Sequence, residues 1–467
     1  MGLRKWKGVE RAYYVKGSIL ASGLSKEEWD VALACDGEHD LDVTPVLERL
    51  IEKRLVLPCK KGDGLSEYSK LREYDNRYFP KMNLMITGKC NYNCRHCFNA
   101  KDNAPLNSEW KYEDILNLLD QAQAMGIHAF TITGGEPMVH LHFFDILAEI
   151  YRRDMSVFEL NTNGFFINDE ILEKMKGIGC YPLIKISFDG IGFHDWMRQH
   201  KGAEENAYHA IELCKKHGFR VKVQTQVHLH NLHTMLPTCL KMAELGCDEV
   251  RIIRTTEVVR WTENNEGSVL PMDRFYDELA KFAKEYMDTG TDMFVDIWQY
   301  MTLRPYSRAY SFTPVMSGGQ EFKLGFPRCR GNRGMIAITS DGEVVPCLQM
   351  SGYFAEFNIH LGNVKKTPLK EIMENEDVFQ YIGGNLLDYM IRNETCGNCA
   401  YFKVCAGGCP ALGLLTSGDS HDYYHEDLSK CLFFKKGYYD KVKDILKDYT
   451  LLNPIVFNEE DGLYDQK

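Results

Sequence analysis

The chain has 467 residues, 44% of them apolar, and a formal net charge of -11. That length predicts two to four domains with ample material for cores, and the acidic balance excludes a protein that tracks nucleic-acid phosphates, whose footprint is basic. Small molecules or peptides remain as partners. The opening stretch MGLRKWKGVERAYYV lacks a signal-peptide core, and no run reaches the roughly 18 to 20 apolar residues of a membrane span. These features predict a soluble cytoplasmic protein with no membrane attachment. Sixteen cysteines in that compartment predict metal ligation rather than disulfides.

Residues 1–80 read as a separate winged-helix-like unit and linker. A strand is expected at 13–20, then short helices. Ser25 with Glu28 makes a capping box, and Val46, Leu47, Leu50 and Ile51 share one apolar helical face. The polar stretch KKGDGLSEYSK reads as a linker.

Residues 81–310 alternate strands and helices, with strands expected at 83–87, 129–133, 157–162, 183–188, 221–228 and 249–254. Amphipathic stretches such as YEDILNLLDQAQAMG and HFFDILAEIYRRD lie between them. The pattern predicts an α/β fold with a parallel sheet. A partial (β/α)6 TIM-like barrel fits better than a doubly wound sheet, because no Gly-rich dinucleotide turn follows the first strand. Ligands in such a barrel collect where strands end.

The alternation stops near 310, and residues 311–440 carry the remaining clustered cysteines. GMIAITSDGEVVPC predicts a hairpin turning at Asp341 and Gly342, in a region held by metal more than by a large core. Residues 441–467 read as a helix and a polar tail frayed from 458 onward. Outside the clusters, Cys35, Cys59, Cys180, Cys214, Cys239 and Cys247 read as small buried apolar side chains.

The first expected strand leads into CNYNCRHC, which holds Cys90, Cys94 and Cys97 in a C-x3-C-x2-C run. Structural zinc and four-iron cubes both normally take four protein ligands. Three thiolates leave one iron open for a ligand that is not protein; zinc with a distant fourth ligand stays an alternative. At the next strand end, FTITGGEP supplies Gly134 and Gly135 for close backbone approach to a ligand. Glu136 and Pro137 follow as a bend whose carbonyls can accept from an amine. LNTNG, with Asn161 and Asn163, and ISFDG, with Ser187 and Asp189, place short polar side chains where a ribose and an amino acid can be held. Each alone also reads as an ordinary strand-to-helix turn.

Further on stand Cys329, Cys347, then Cys396-x2-Cys399-x5-Cys405-x3-Cys409, and finally Cys431. Zinc ribbons are one reading of such knuckles.

Together these motifs resemble the radical S-adenosylmethionine enzymes. The resemblance rests on Cys90, Cys94 and Cys97, the turn Gly134, Gly135, Glu136, Pro137, and the segment 187–190. It implies that S-adenosylmethionine chelates the open iron and that an electron from the cluster yields a 5'-deoxyadenosyl radical. Arg198, in FHDWMRQ, is a candidate partner for the cofactor carboxylate. The later array resembles the SPASM extension of peptide-modifying radical enzymes, which holds two auxiliary four-iron clusters, three clusters in all. By that resemblance Cys396, Cys399, Cys405 and Cys431 saturate one auxiliary cluster, while Cys329, Cys347 and Cys409 hold the other. The segment RGNRGMIAITSDGEVVP contains no further cysteine. An eighth ligand is then missing, and an open iron there favours binding of a substrate cysteine as thiolate.

LACDGEHDLDVTPVLERLIEKRLVL resembles the winged-helix leader-recognition domains of ribosomal peptide maturases, which take a precursor's leader as an added strand. A winged helix that merely packs on the barrel, or a DNA reader, stays open; the acidic run from Asp36 to Asp42 makes the latter poorer. The expected function is a radical peptide maturase that installs a cross-link, a cysteine thioether first, with an external donor such as flavodoxin or ferredoxin. The alternatives are an anaerobic sulfatase-maturing or carbon-carbon cross-linking enzyme and a non-catalytic iron-sulfur or zinc peptide binder.

Overall fold

The computed structural model describes residues 1–18, 21–97, 108–256, 259–265, 267–312, 328–329, 335–375, 378, 384–417 and 423–452. The N-terminal unit is a small sheet of β1 (Gly2–Lys7), β2 (Val9–Tyr14), β3 (Ser22–Gly23) and β4 (Arg72–Arg77), in the order β3-β2-β1-β4. Its core is Leu3, Leu24, Trp29, Ala32, Val46 and Leu50. The capping box forms as expected: Ser25 Oγ accepts from Glu28 N at 3.1 Å and Glu28 Oε2 accepts from Ser25 N at 3.0 Å. Thr44 caps the helix Pro45–Glu52, which buries Val46, Leu47 and Leu50.

One expectation is corrected here. The strand expected at 13–20 ends at Tyr14, because the chain turns at Lys16 and at Gly17, whose φ is +90°; residues 19–20 lie outside the described residues. The expected linker, 60–70, holds no helix or strand, but a strand that was not expected, β4, follows it and pairs parallel to β1. Its sequence REYDNR carries no apolar alternation, so its strand character comes from the neighbour and not from pattern. The unit docks on the barrel through Trp6, whose indole N–H donates to Met125 O at 3.1 Å, and through Tyr14, which lies 3.7 Å from the His128 ring. A Cβ on Gly126 (φ +74°) would come within 2.5 Å of that indole, so the contact requires glycine.

The main sheet is open and follows the order β15-β14-β5-β6-β7-β8-β9-β10-β11-β12-β13-β16. Its centre is the run β5 (Lys81–Met85), β6 (Ala129–Thr133), β7 (Ser156–Thr162), β8 (Leu183–Ser187), β9 (Val221–Val227), β10 (Glu249–Arg254) and β11 (Phe294–Ile297). All neighbours in this run are parallel. Then β12 (Met301–Arg304) and β13 (Ala309–Phe312) continue antiparallel. Period-2 alternation sends Met82, Leu84, Phe130, Ile132, Leu160, Ile184, Ile186, Val221 and Val223 into one core with the helices. The alternate residues, among them Asn83, Thr131, Asn161, Lys185 and Gln224, therefore face the lumen. Ion pairs between neighbouring strands floor the lumen: Lys185 with Glu159 at 2.9 Å, Arg251 with Asp296 at 2.7 Å, and Lys222 with Glu249.

The predicted hairpin forms from β14 (Met335–Ile338) and β15 (Val344–Val345). It is not confined to a separate C-terminal unit, because β14 pairs parallel with β5 and extends the barrel sheet. The last described helix runs Tyr438–Ile445, and β16 (Thr450–Leu451) then pairs with β13. Residues 458–467 lie outside the described residues. Among the described residues no helix is long and apolar enough to cross a membrane.

Candidate active site

The three-cysteine loop leaves the C-terminal end of β5 and is tied to its neighbours by short contacts. Gly135 N donates to Thr87 O at 2.8 Å and Glu136 N to Lys89 O at 2.9 Å. Here the glycines also serve the scaffold. A Cβ on Gly134 would come within 2.5 Å of Thr87 O, and one on Gly135 within 2.2 Å of Lys89 O. Their close approach is to the strand that carries the cysteines, so this turn fixes where the loop begins.

Glu136 is fully buried. Its carboxylate accepts from Asn163 N at 2.8 Å, Thr162 Oγ1 at 3.0 Å and Met138 N at 3.3 Å. Burial pushes its pKa up to about 7 against those hydrogen bonds. Glu136 thus latches β7 to the turn, and buried Pro137 starts the turn Pro137–Val139. Asn163 in turn donates to Asn91 Oδ1 at 2.8 Å and lies 4.0 Å from Cys90 Sγ.

On the other side, Cys94 is buried beside Tyr92 and Ala203, with Cys97 packed against them. The Arg198 guanidinium donates to Cys94 Sγ at 3.6 Å, and its Nε lies 2.7 Å from Asp189 Oδ2. Burial pushes the Asp189 carboxyl up, but the Arg198 guanidinium outweighs it and holds the group well below the usual carboxylate range. His96, 3.8 Å from Asp189, is lowered to about 3 by burial and stays neutral. Asp189 is wholly buried and pairs with Arg198. Ser187 ends β8 partly exposed, and Asn161 Oδ1 is buried without a partner.

The site therefore gathers Cys90, Cys94, Cys97, Glu136, Asn163, Asp189 and Arg198. Three thiols on one short loop, with the Arg198 guanidinium on Cys94 Sγ and Asn163 beside Cys90 Sγ, are a soft donor set that fits an iron-sulfur cluster. Asn91 and His96 were missed as site residues, although both lie inside the C-x3-C-x2-C run.

The C-terminal cysteines form two sets. Cys396, Cys399, Cys405 and Cys431 line one cavity of about 380 Å³, counting space open to solvent, with Tyr401, Phe402 and Phe434. Cys409 interacts with Cys329 and Cys347, and burial raises the Cys347 and Cys405 thiols to about 12. None of the sixteen cysteines is disulfide-bonded. Among the described residues no three His, Cys, Asp or Glu side chains converge on a single ion, whereas four thiols around one cavity suit a larger group. Of the scattered cysteines, Cys180, Cys214, Cys239 and Cys247 are buried as expected; Cys59 is exposed and Cys35 half-buried.

Residues 84–238 match the radical SAM superfamily, and residues 329–400 match the SPASM iron-sulfur cluster-binding domain. The AdoMet-dependent heme synthase of Methanosarcina barkeri is 28% identical over 352 residues, 74% of this chain and 95% of that protein. The PqqA peptide cyclase of Granulibacter bethesdensis is 24% identical over 349 residues, 73% of this chain and 88% of that protein. Streptococcus suis SuiB bound to its precursor peptide SuiA superposes with a TM-score of 0.64 at 15% identity, over 91% of this chain and 97% of that one. The chain thus joins a radical SAM domain over residues 84–238 to a SPASM iron-sulfur cluster-binding domain over residues 329–400.

Proposed function

We propose that the enzyme modifies a ribosomally made precursor peptide and installs a cross-link, with a cysteine thioether as the leading product. The N-terminal unit carries this reading. Its outer strand β3 is two exposed residues long and pairs only with β2 among the described residues, which is the kind of edge a leader peptide extends as an added strand. The fold shared with SuiB takes in 91% of the chain, more than the 74% aligned with the heme synthase.

Cys90, Cys94 and Cys97 would hold the first cluster, with Asn163 and Ser187 closest in chemistry to what a bound S-adenosylmethionine needs. Bound together, those groups supply hydrogen-atom abstraction from an unactivated carbon. Glu136 keeps β7 and the turn at fixed separation, and the Asp189–Arg198 pair holds Cys94. Cys396, Cys399, Cys405 and Cys431 would saturate one auxiliary cluster. Cys329, Cys347 and Cys409 would hold a second with one iron left for a substrate thiolate. We place the enzyme in the cytoplasm, served by a flavodoxin- or ferredoxin-type donor, because sixteen cysteines joined by no disulfide suit a reducing compartment.

Thioether formation removes one hydrogen from carbon and one from sulfur. Anaerobic co-expression with the product of the nearest small cysteine-containing open reading frame is therefore expected to give a peptide two hydrogens lighter, with one cysteine protected from alkylation. A lighter peptide whose cysteines all alkylate supports the carbon-carbon or sulfatase-maturing type instead. A second reading, a tetrapyrrole substrate, is favoured by the 28% identity to the heme synthase over 95% of its length. Turnover of an iron porphyrin carboxylate with none of the peptide would establish it.

A further inference from the structure

The lumen beneath the cysteine loop holds a cation that its floor leaves without a counter-ion among the described residues. Lys185, Lys222 and Arg251 are each paired, with Glu159, Glu249 and Asp296. Lys81, the first residue of β5, is not. Met82 and Leu84 enter the core, so Lys81 and Asn83 lie on the lumen face of that strand. Glu159 is the carboxylate that acts on Lys81, but Lys185 Nζ already donates to it at 2.9 Å, and the charges of Lys185, Arg251 and Lys222 repel the Lys81 ammonium. That ammonium rests instead 4.9 Å from the centre of the Phe158 ring.

Two residues along the strand, roughly 7 Å nearer the cysteine loop, stands Asn83. It is in register with Thr131 of β6, and Thr131 is in register with Glu159 of β7. Asn83 Oδ1 and Thr131 Oγ1 are both buried with no hydrogen-bond partner among the described residues, and Thr131 is only 2% exposed. Asn161 Oδ1, on the same face of β7, is in the same condition. The lumen wall therefore sets a hydroxyl and two amides with unmade bonds beside an unneutralised ammonium.

An orphaned polar atom in a buried wall is costly until something completes its hydrogen bonds, and a desolvated charge is costlier still. Water or a neutral ligand would satisfy the hydroxyl and the amides and leave the ammonium uncompensated. A carboxylate satisfies both: it neutralises Lys81 and accepts from the Thr131 hydroxyl and from the Asn83 amide, which can turn its N–H inward. A dianion such as a phosphate ester fits less well, because the Glu159 carboxylate stands next to Thr131 in the same row.

We propose that the barrel lumen binds a carboxylate of the substrate, with Lys81 as its counter-ion and Thr131 and Asn83 as its hydrogen-bond donors. This rests on the substrate readings above and names the group each would place there: an Asp or Glu side chain of the precursor peptide, or a ring carboxylate of a tetrapyrrole. The test measures binding to the full chain, reconstituted without air. The ligands are the product of the nearest small cysteine-containing open reading frame, the same peptide with each Asp or Glu changed in turn to its amide, and an iron porphyrin carboxylate. The parent protein is expected to bind one amide peptide about tenfold more weakly than the unchanged one. K81M should bind the unchanged peptide as weakly as that and be indifferent to the amide change, whereas T131V should lose less and still discriminate. If K81M weakens the porphyrin alone, the carboxylate site stands and the peptide reading falls. A K81M protein that binds both ligands as the parent does, or that still tells acid from amide, overturns the proposal. Should neither ligand bind the parent, N-acetylglutamate amide against N-acetylglutamine amide decides, read as thermal stabilisation at matched ionic strength: a preference for the acid that K81M abolishes supports the site, and equal stabilisation, or none, overturns it.

Discussion

The three thiols at the barrel mouth and the seven in the C-terminal region rest on scaffolds of different kinds. The first loop springs from a strand whose neighbours on both sides are hydrogen-bonded over most of its length, backed by the largest core of the molecule. The second region is short helices and turns with small cores, Leu386, Tyr389, Met390 and Phe402 in one and Val345, Met350, Tyr353 and Phe354 in another. Cys396 and Cys409 are themselves members of those cores. The mouth loop also has ligands in a small core, Cys94 with Tyr92 and Ala203, but its base is anchored to the sheet and keeps its place without iron, whereas the C-terminal turns have only such small cores and need the metal to stay folded.

The contrast can be broken most sharply at the mouth. Replacing Cys90, Cys94 and Cys97 together with alanine should abolish 5'-deoxyadenosine formation from S-adenosylmethionine, while most of the iron stays with the other sets; loss of all iron would show that the regions are not independent. Chelating the iron should next expose 384–435 to limited proteolysis while the barrel fragment survives. Equal degradation of both would mean that the barrel also depends on its cluster.

A smaller effect sharpens the claim that sheet contacts fix the first loop. Gly135→Ala forces a methyl against Lys89 O, and overpacking of this kind costs about 1–3 kcal/mol. Both a lower melting temperature and weaker iron retention at the mouth are expected, with the C-terminal sets unaffected.

The smallest concerns the lumen floor. Burial lowers Lys81 to about 8, so its protonated form is disfavoured in the fold at neutral pH. A depressed folded pKa means that stability is full above the unfolded value of 10.5 and is lost as pH falls through 8. Lys81→Met should therefore stabilise the protein at pH 7, by about 1–2 kcal/mol. The gain should shrink between pH 8 and 10.5, and denaturant melts across that range would show it; a pH-independent gain would assign the effect to packing.

Much of this was legible because it is local. Three thiols in C-x3-C-x2-C spacing share a loop whatever surrounds them, and the strands at 129–133 and 249–254 match β6 and β10 because apolar residues bounded by polar turns have few other ways to be buried. The capping box at Ser25 needed only four consecutive residues. REYDNR gave no such signal, since a strand docked beside β1 is recruited by its partner's free edge.

What the sequence alone determined, then, is the chemistry on offer: cysteine counts and spacings, the polar strand ends, and the alternation that builds a parallel sheet. Only the tertiary structure decided how those groups are spent. It paired Asp189 with Arg198, turned Gly134 and Gly135 toward the cysteine strand, joined the 335–345 hairpin to β5, and set the Tyr389 hydroxyl on Cys396. A buried charge or donor must find a partner, and nothing in its near neighbours along the chain encodes which distant group that will be.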